Sequence, residues 1–250
     1  MKSVWFNITT AILFILAFSA CQSQGKDNES KDKKIVLGFS QVGAESEWRT
    51  ANTQSIKDAA AKAGITLTFS DGQQKQENQI KAIRSFIAQK VDVIAFSPVV
   101  ETGWEPVLRE AKAAKIPVIL TDRAVDVKDD SLWVSFLGSD FVEEGRRAAK
   151  WLVDYPPVME LAGNGEVRIV ELQGTVGSAP AIDRKKGFEE VLKDYPKFKI
   201  IRSQTGDFTR AKGKEVMERS SRPRGRTSTS STRTTTTWPS APSRPSRRPA

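Results

Sequence analysis

The chain has 250 residues, 38% hydrophobic and 28% charged, which suits one large or two small globular domains and excludes a collagen-like or coiled-coil protein. The formal charge of +9 is concentrated at the C-terminal end: eight arginines and no acid lie between residues 219 and 250, and without them 31 basic residues face 30 acidic ones. The body is thus neutral and its charge predicts no nucleic-acid partner. With no His there is no imidazole base or metal ligand, and a single Cys excludes an internal disulfide and a thiolate zinc cluster.

Lys2 precedes an apolar run of eleven residues, 8–18, too short to span a bilayer and suited to the core of a secretory signal. The small residues Ser19 and Ala20 just before Cys21 resemble a bacterial lipobox, in which Cys21 becomes the lipidated first residue of the mature chain. The alternative is an ordinary cut near Ala20 that leaves Cys21 unmodified. Residues 1–20 are therefore expected to be a signal peptide. Residues 21–33, polar and without apolar periodicity, are expected to form a flexible tether.

From Lys34 short apolar runs alternate with helical stretches. Strands are expected at 35–39, 66–70, 93–97, 118–121, 134–137, 167–172 and 199–202, and helices at 48–63, 78–89, 105–115, 141–152 and 181–193. The helix at 78–89 sets Ile80, Ile83, Phe86 and Ile87 on one face, Gly64 stops the first helix, and Pro106 sits where a missing N–H does no harm. Strands alternating with helices make this an α/β protein built of βαβ units with parallel sheets. Residues 34–138 are expected to form a first lobe and 139–218 part of a second.

Ligands of open parallel sheets bind beyond the carboxyl ends of the strands, so the loops at 40–48, 71–76, 98–104, 122–126, 173–184 and 204–210 are the place to look. Glu45, Ser46, Trp48 and Arg49 stand at one such junction. The indole offers a flat apolar face to the C–H face of a sugar ring and the guanidinium offers forked donors to its oxygens. Equally, Trp48 can pack on the sheet with Arg49 in solvent. Asp122 and Arg123 follow a strand directly and can clamp a polyol, or form a surface ion pair. Asp183 and Arg184 repeat the pair in the second half, where Asp183 can instead satisfy backbone N–H groups at a helix start. Trp104 can line the cleft or close a core. The segment 174–177 lacks the length and Lys-Ser/Thr ending of a phosphate loop, and no paired-carboxylate catalytic motif stands out.

These loops carry a family resemblance. The runs GFSQVGAESEWR (38–49), DGQQKQENQI (71–80), TGWEPVL (102–108), ELQGT (171–175), AIDRKKGF (181–188) and GDFTR (206–210) resemble, in order, the sugar-binding proteins of bacterial ABC importers. The likeness is to the ribose/galactose-type group, type I periplasmic binding proteins, and within it to proteins that bind galactofuranose. It covers residues 34–218. It implies two Rossmann-like lobes joined by hinge strands, a monosaccharide held between them, and delivery to an ABC transporter permease, with no cofactor, no metal and no catalysis. Carried over by position, Glu45, Ser46, Trp48, Arg49, Asp122, Arg123 and Arg184 are the expected sugar contacts. The protein would be a monomer, exported to the periplasm or cell envelope and attached to the membrane only through a lipid anchor. A sugar sensor feeding a chemoreceptor or signalling protein is the alternative. A transcription regulator is disfavoured by the signal segment and by the lack of a helix-turn-helix before Lys34, and turnover of a bound sugar would mark an enzyme.

After Glu218 the family pattern stops, and 219–250 consist of Arg, Ser, Thr and Pro without an apolar period. One reading is a disordered basic tail. The other is a displaced reading frame. Thr codons begin AC, so a one-base displacement turns the Thr run at 234–237 into codons ending AC, which encode only Tyr, His, Asn or Asp. The run can then read as the H-N-D-D that the family carries in its second lobe, and the Trp238 codon followed by a Pro codon can yield Met and then Ala. On that reading the second lobe is incomplete and the chain truncated.

DNA sequencing across codons 215–250 is expected to reveal a one-base displacement near codon 219; an unbroken frame contradicts that reading. Labelled fatty acid is expected to enter the wild-type chain in a bacterial host and not a Cys21→Ser variant, and equal labelling of both, or of neither, leaves only a plain signal peptide.

Overall fold

A computed structural model describes residues 34–163 and 165–221. The expected signal peptide, the tether with Cys21, and the tail from residue 222 onward lie outside the described residues. Strand β1 (Val36–Gln41) runs into the core and helix α1 (Glu47–Lys62) begins at Ser46, whose hydroxyl accepts the Arg49 N–H at 3.2 Å, and ends before Gly64, whose φ of +68° suits glycine at a helix stop. Strand β2 (Thr66–Asp71), helix α2 (Gln76–Ala88), strand β3 (Val93–Phe96), helix α3 (Glu105–Ala113) with its early proline, strand β4 (Val118–Asp122) and strand β5 (Ser135–Gly138) follow. Helices α4 (Phe141–Asp154) and α5 (Pro156–Ala162), strand β6 (Val167–Gln173), helix α6 (Ala179–Leu192), strand β7 (Phe198–Thr205) and helix α7 (Arg210–Ser221) complete the described chain.

Two helices were not expected. In α5 the Pro156-Pro157 pair, which reads as a break, instead occupies the first turn, where no N–H is needed. In α7 the Thr209 hydroxyl accepts the Lys212 N–H at 3.3 Å, and the helix runs through the first three residues of the expected tail. Strand β7 is longer than its apolar core because polar Ser203, Gln204 and Thr205 pair with β6. Among the described residues no helix is long and apolar enough to cross a membrane.

The first sheet has the order β2-β1-β3-β4-β5 with every neighbouring pair parallel; β6 and β7 form a second parallel sheet. The chain leaves β1 for β2 on one side and then crosses to β3 on the other. That reversal opens a crevice at the carboxyl ends of β1 and β3, the usual ligand position in such sheets. Gln79 of α2, fully buried, staples the crevice: its amide nitrogen donates to the carbonyls of Ser97 (2.7 Å), Gln41 (3.2 Å) and Ser40 (3.4 Å), and its oxygen accepts the Val99 N–H at 3.0 Å. The core behind it contains Ile83, Phe86, Ile94, Phe96, Leu108 and Leu120. Trp104 belongs to this core and not to the cleft: it is fully buried, its ring lies 4.8 Å from that of Phe96, and its indole N–H donates to the Val100 carbonyl at 2.6 Å.

The second core gathers Ala149, Val153, Leu192 and Phe198 between α4, α6 and the β6–β7 sheet. Here α4 and α6 touch backbone to backbone. A Cβ on Gly145 would stand 2.1 Å from the Arg184 carbonyl oxygen, and one on Gly187 would stand 1.9 Å from that of Val142. Only hydrogen fits at these crossings, and the crossing brings Glu144 of α4 against Arg184 of α6.

Gly187→Ala should therefore destabilise. Alanine gains about 1 kcal/mol of helix propensity over glycine, but forcing the helices apart costs about 1–3 kcal/mol and displaces Arg184. Thermal melting should show a lowered midpoint; an unchanged or raised midpoint would mean the helices separate freely.

Candidate functional site

Residues at the carboxyl ends of β1 and β4 meet residues of α4, α6 and the loop after β7 around a cavity of about 370 Å³, within the ~300–1,000 Å³ range of small-molecule sites. All seven residues singled out in the sequence line it: Glu45, Ser46, Trp48, Arg49, Asp122, Arg123 and Arg184. Ser139, Phe141, Glu144, Pro180 and Phe208 line it as well. Asp183 is not among the lining residues. It lies inside α6, which is preceded by Ser178, so it does not cap that helix.

Arg49 is only 2% exposed although it stands on an exposed helix beside Trp48, which is 58% exposed, so the expected alternative of a packed indole and a solvated guanidinium is reversed. The first turn of α1 points Arg49 inward. Its Nε donates to Glu45 Oε1 at 3.2 Å, Nη1 to Gln41 Oε1 at 3.1 Å and Nη2 to Asp122 Oδ2 at 2.8 Å. Its guanidinium carbon also lies 4.8 Å from the centre of the Trp48 ring, so one indole face is covered by Arg49. Ser46 both caps α1 and lines the cavity; accepting the Arg49 N–H leaves its hydroxyl proton free to donate.

Asp122 sits in the left-handed region, with φ of +63°, and the Arg123 N–H donates back to the Thr121 carbonyl at 2.6 Å. This tight turn at the end of β4, a conformation that costs an Asp on the order of 1 kcal/mol, turns Asp122 and Arg123 into the same cavity. Arg123 is 3% exposed and donates through Nη1 to the Val99 carbonyl at 3.2 Å, so the pair is not a surface ion pair. Burial, and then the charge of Arg49, draw its guanidinium down to about 10; Asp122 and Glu45 pull the other way and Arg184 adds to the lowering.

From the second sheet's side, Arg184 Nε donates to Glu144 Oε2 at 2.8 Å and its guanidinium lies 4.6 Å over the Phe141 ring. Phe208 has φ of +56° and its ring lies so close over Gly174 that a Cβ there would meet it at 1.9 Å; on the cavity side Arg123 lies 5.3 Å from its centre. Glu144 and Phe141 carry no sequence signal beyond their place in the first turn after β5. Phe208 lies in a strand-end loop and within the GDFTR run (206–210) that carries the family resemblance.

Two features define what the cavity can hold. Three carboxylates (Glu45, Asp122, Glu144) balance three guanidiniums (Arg49, Arg123, Arg184), so it suits an uncharged, hydroxyl-rich molecule. Two buried polar atoms of its lining residues, Glu45 Oε2 and Arg123 Nε, have no hydrogen-bond partner; Arg123 Nε comes no nearer than 3.6 Å to Asp122. Among the described residues no cluster of His, Cys, Asp or Glu is placed to hold a metal ion.

A fold of this order with its site at the strand ends defines a class of ligand-binding protein, and the comparisons identify it. The chain belongs to the periplasmic binding protein domain family, whose model matches residues 37–222. It is 56% identical over 207 residues to the galactofuranose-binding protein YtfQ of Escherichia coli K12, covering 83% of this chain and 62% of that protein. A Mycobacterium smegmatis structure in complex with β-D-fucofuranose is 60% identical with a TM-score of 0.70, covering 74% of this chain and 60% of the other. The periplasmic binding component of the arabinose ABC transporter from Shewanella sp. ANA-3, bound to α- and β-L-arabinofuranose, is 59% identical with a TM-score of 0.68, covering 73% and 58%. The chain thus spans about three-fifths of the length of these relatives.

The lowered value of Arg123 makes a pH prediction. Its cation is less favoured folded than unfolded, so above about pH 10 the unfolded chain binds the extra proton and stability attributable to Arg123 rises with pH. The melting-temperature difference between wild type and Arg123→Met should stay level at lower pH and move in the wild type's favour as pH passes about 10. Parallel curves would contradict this.

Proposed function

We propose that this chain is the solute-binding protein of an ABC importer, capturing a furanose monosaccharide such as galactofuranose between two lobes, 34–138 and 139–218, for delivery to a membrane permease. The observation that carries this is the charge-balanced cavity at the strand ends, walled from both lobes, whose three carboxylates and three guanidiniums supply acceptors and donors for adjacent hydroxyls. The charge balance favours a neutral sugar, and relatives at 56–60% identity are named for furanoses.

In this reading Glu45, Ser46, Trp48, Arg49, Asp122, Arg123 and Arg184 contact the sugar. Trp48 offers its free indole face, and Phe208 faces it from the second lobe. The protein binds and releases without catalysis. It is exported, works as a monomer in the cell envelope, and is held there by lipid on Cys21.

Calorimetric titration of the full chain with galactofuranose should give one site, and Trp48→Ala, which removes the stacking face, and Arg123→Ala, which removes a charged donor worth about 1.5–3 kcal/mol, should each weaken it by about tenfold. Galacturonate, which adds a carboxylate, should bind more weakly than the neutral sugar. Unchanged affinity in both variants, or preference for the acidic sugar, would contradict the proposal.

A further inference from the structure

We infer that Gln41, which does not line the cavity, is a positioning residue that aims the Arg49 guanidinium at the ligand; the inference rests on the sugar-binding reading of that cavity. Gln41 is the last residue of β1, on an inner strand of the sheet, and is fully buried. Its side chain is saturated. The amide oxygen accepts the Val42 N–H at 2.9 Å and Arg49 Nη1 at 3.1 Å, and the amide nitrogen donates to Asn52 Oδ1 at 2.9 Å and Thr53 Oγ1 at 3.0 Å.

This arrangement has one orientation. The Val42 backbone can only donate, so the amide oxygen must face it, and the nitrogen must then face α1; an amide flip would set nitrogen against two donors. Arg49, Asn52 and Thr53 all lie on α1, so a single glutamine fixes both the helix face and the guanidinium it carries. Arg49 has five N–H donors, and three are taken by Glu45, Gln41 and Asp122. The two that remain, one on each Nη, are what Arg49 can offer a ligand. Without Gln41 the fork is held only by Glu45 at Nε and Asp122 at Nη2, so the slow rotation about its Nε–Cζ axis is resisted by one hydrogen bond fewer.

The test compares Gln41→Met, which keeps length and removes the acceptor, with Gln41→Glu, which keeps an acceptor for Arg49 while Asn52 turns its amide and Thr53 its hydroxyl to donate. Nitrogen-15 spectra of the Arg49 guanidinium in the full chain, without sugar, should show Nη rotation at least roughly tenfold faster in Gln41→Met and restored restriction in Gln41→Glu. Galactofuranose affinity well below the melting temperature should fall about tenfold in the first and recover in the second. Should Gln41→Met fail to fold, Asn52→Ala, which frees the glutamine amide without touching Arg49, should give a smaller loosening of the same resonances. Unchanged Arg49 spectra, or a lowered melting temperature with unchanged affinity, would make Gln41 merely structural and overturn the inference. A chain that binds no sugar while Gln41→Met still frees Arg49 would sink the sugar-binding reading and leave the positioning role in place.

Discussion

Two guanidinium groups, Arg49 and Arg123, lie buried side by side at the carboxyl edge of one sheet, and the surrounding structure exists in a form that lets them stay there. Taking a charge out of water costs several kcal/mol unless it is paired and hydrogen-bonded. Asp122 answers both, accepting from Arg49 at 2.8 Å and lying 3.6 Å from Arg123, while Glu45 answers Arg49 from the other side. The compensation is incomplete by one acceptor and one donor. A protein that maximised its own stability would close that gap internally; here the residues that carry it also line the cavity.

The topology supplies the place. Reversal of strand order between β1 and β3 opens the crevice, Gln79 ties the two strand ends together, and the turn at Asp122 brings the end of β4 to the same rim. The opposite wall comes from a different device, the glycine crossing of α4 and α6, which sets Arg184 against Glu144. The walls meet at few points among the described residues: the Glu101 N–H donates to the Gly177 carbonyl at 2.9 Å, Arg210 Nη2 donates to Glu47 Oε1 at 3.4 Å, and Arg123 lies over Phe208. A site shared between two bodies with few direct contacts gains strength when a ligand bridges them, which is the logic of hinged closure.

Much of this was legible in the sequence because it depends on local pattern. Short β-branched runs gave the strands of the first sheet to within two residues, and the rule that ligands sit past strand ends, together with the family resemblance, led to seven of the twelve residues that line the cavity. What was not legible depends on partners far along the chain. Arg49 is buried because Asp122, 73 residues later, receives it, and Trp104 is core because Phe96 and the Val100 carbonyl receive it. Phe141 and Glu144 join the site only because two glycines let α4 approach α6. Gln41 looks like an ordinary polar residue at the end of a strand until its four hydrogen bonds are seen together. The start of α5 was hidden because proline reads as a breaker even where it begins a helix.

The most direct measurement is a crystal structure of the full chain with bound galactofuranose. The account predicts ring or exocyclic oxygens at about 2.7–3.2 Å from carboxylate oxygens and guanidinium nitrogens of the lining residues Glu45, Arg49, Asp122, Arg123 and Arg184, with the sugar inside the cavity between Trp48 and Arg184. A sugar bound elsewhere, or one seated in the cavity without such contacts, would contradict it.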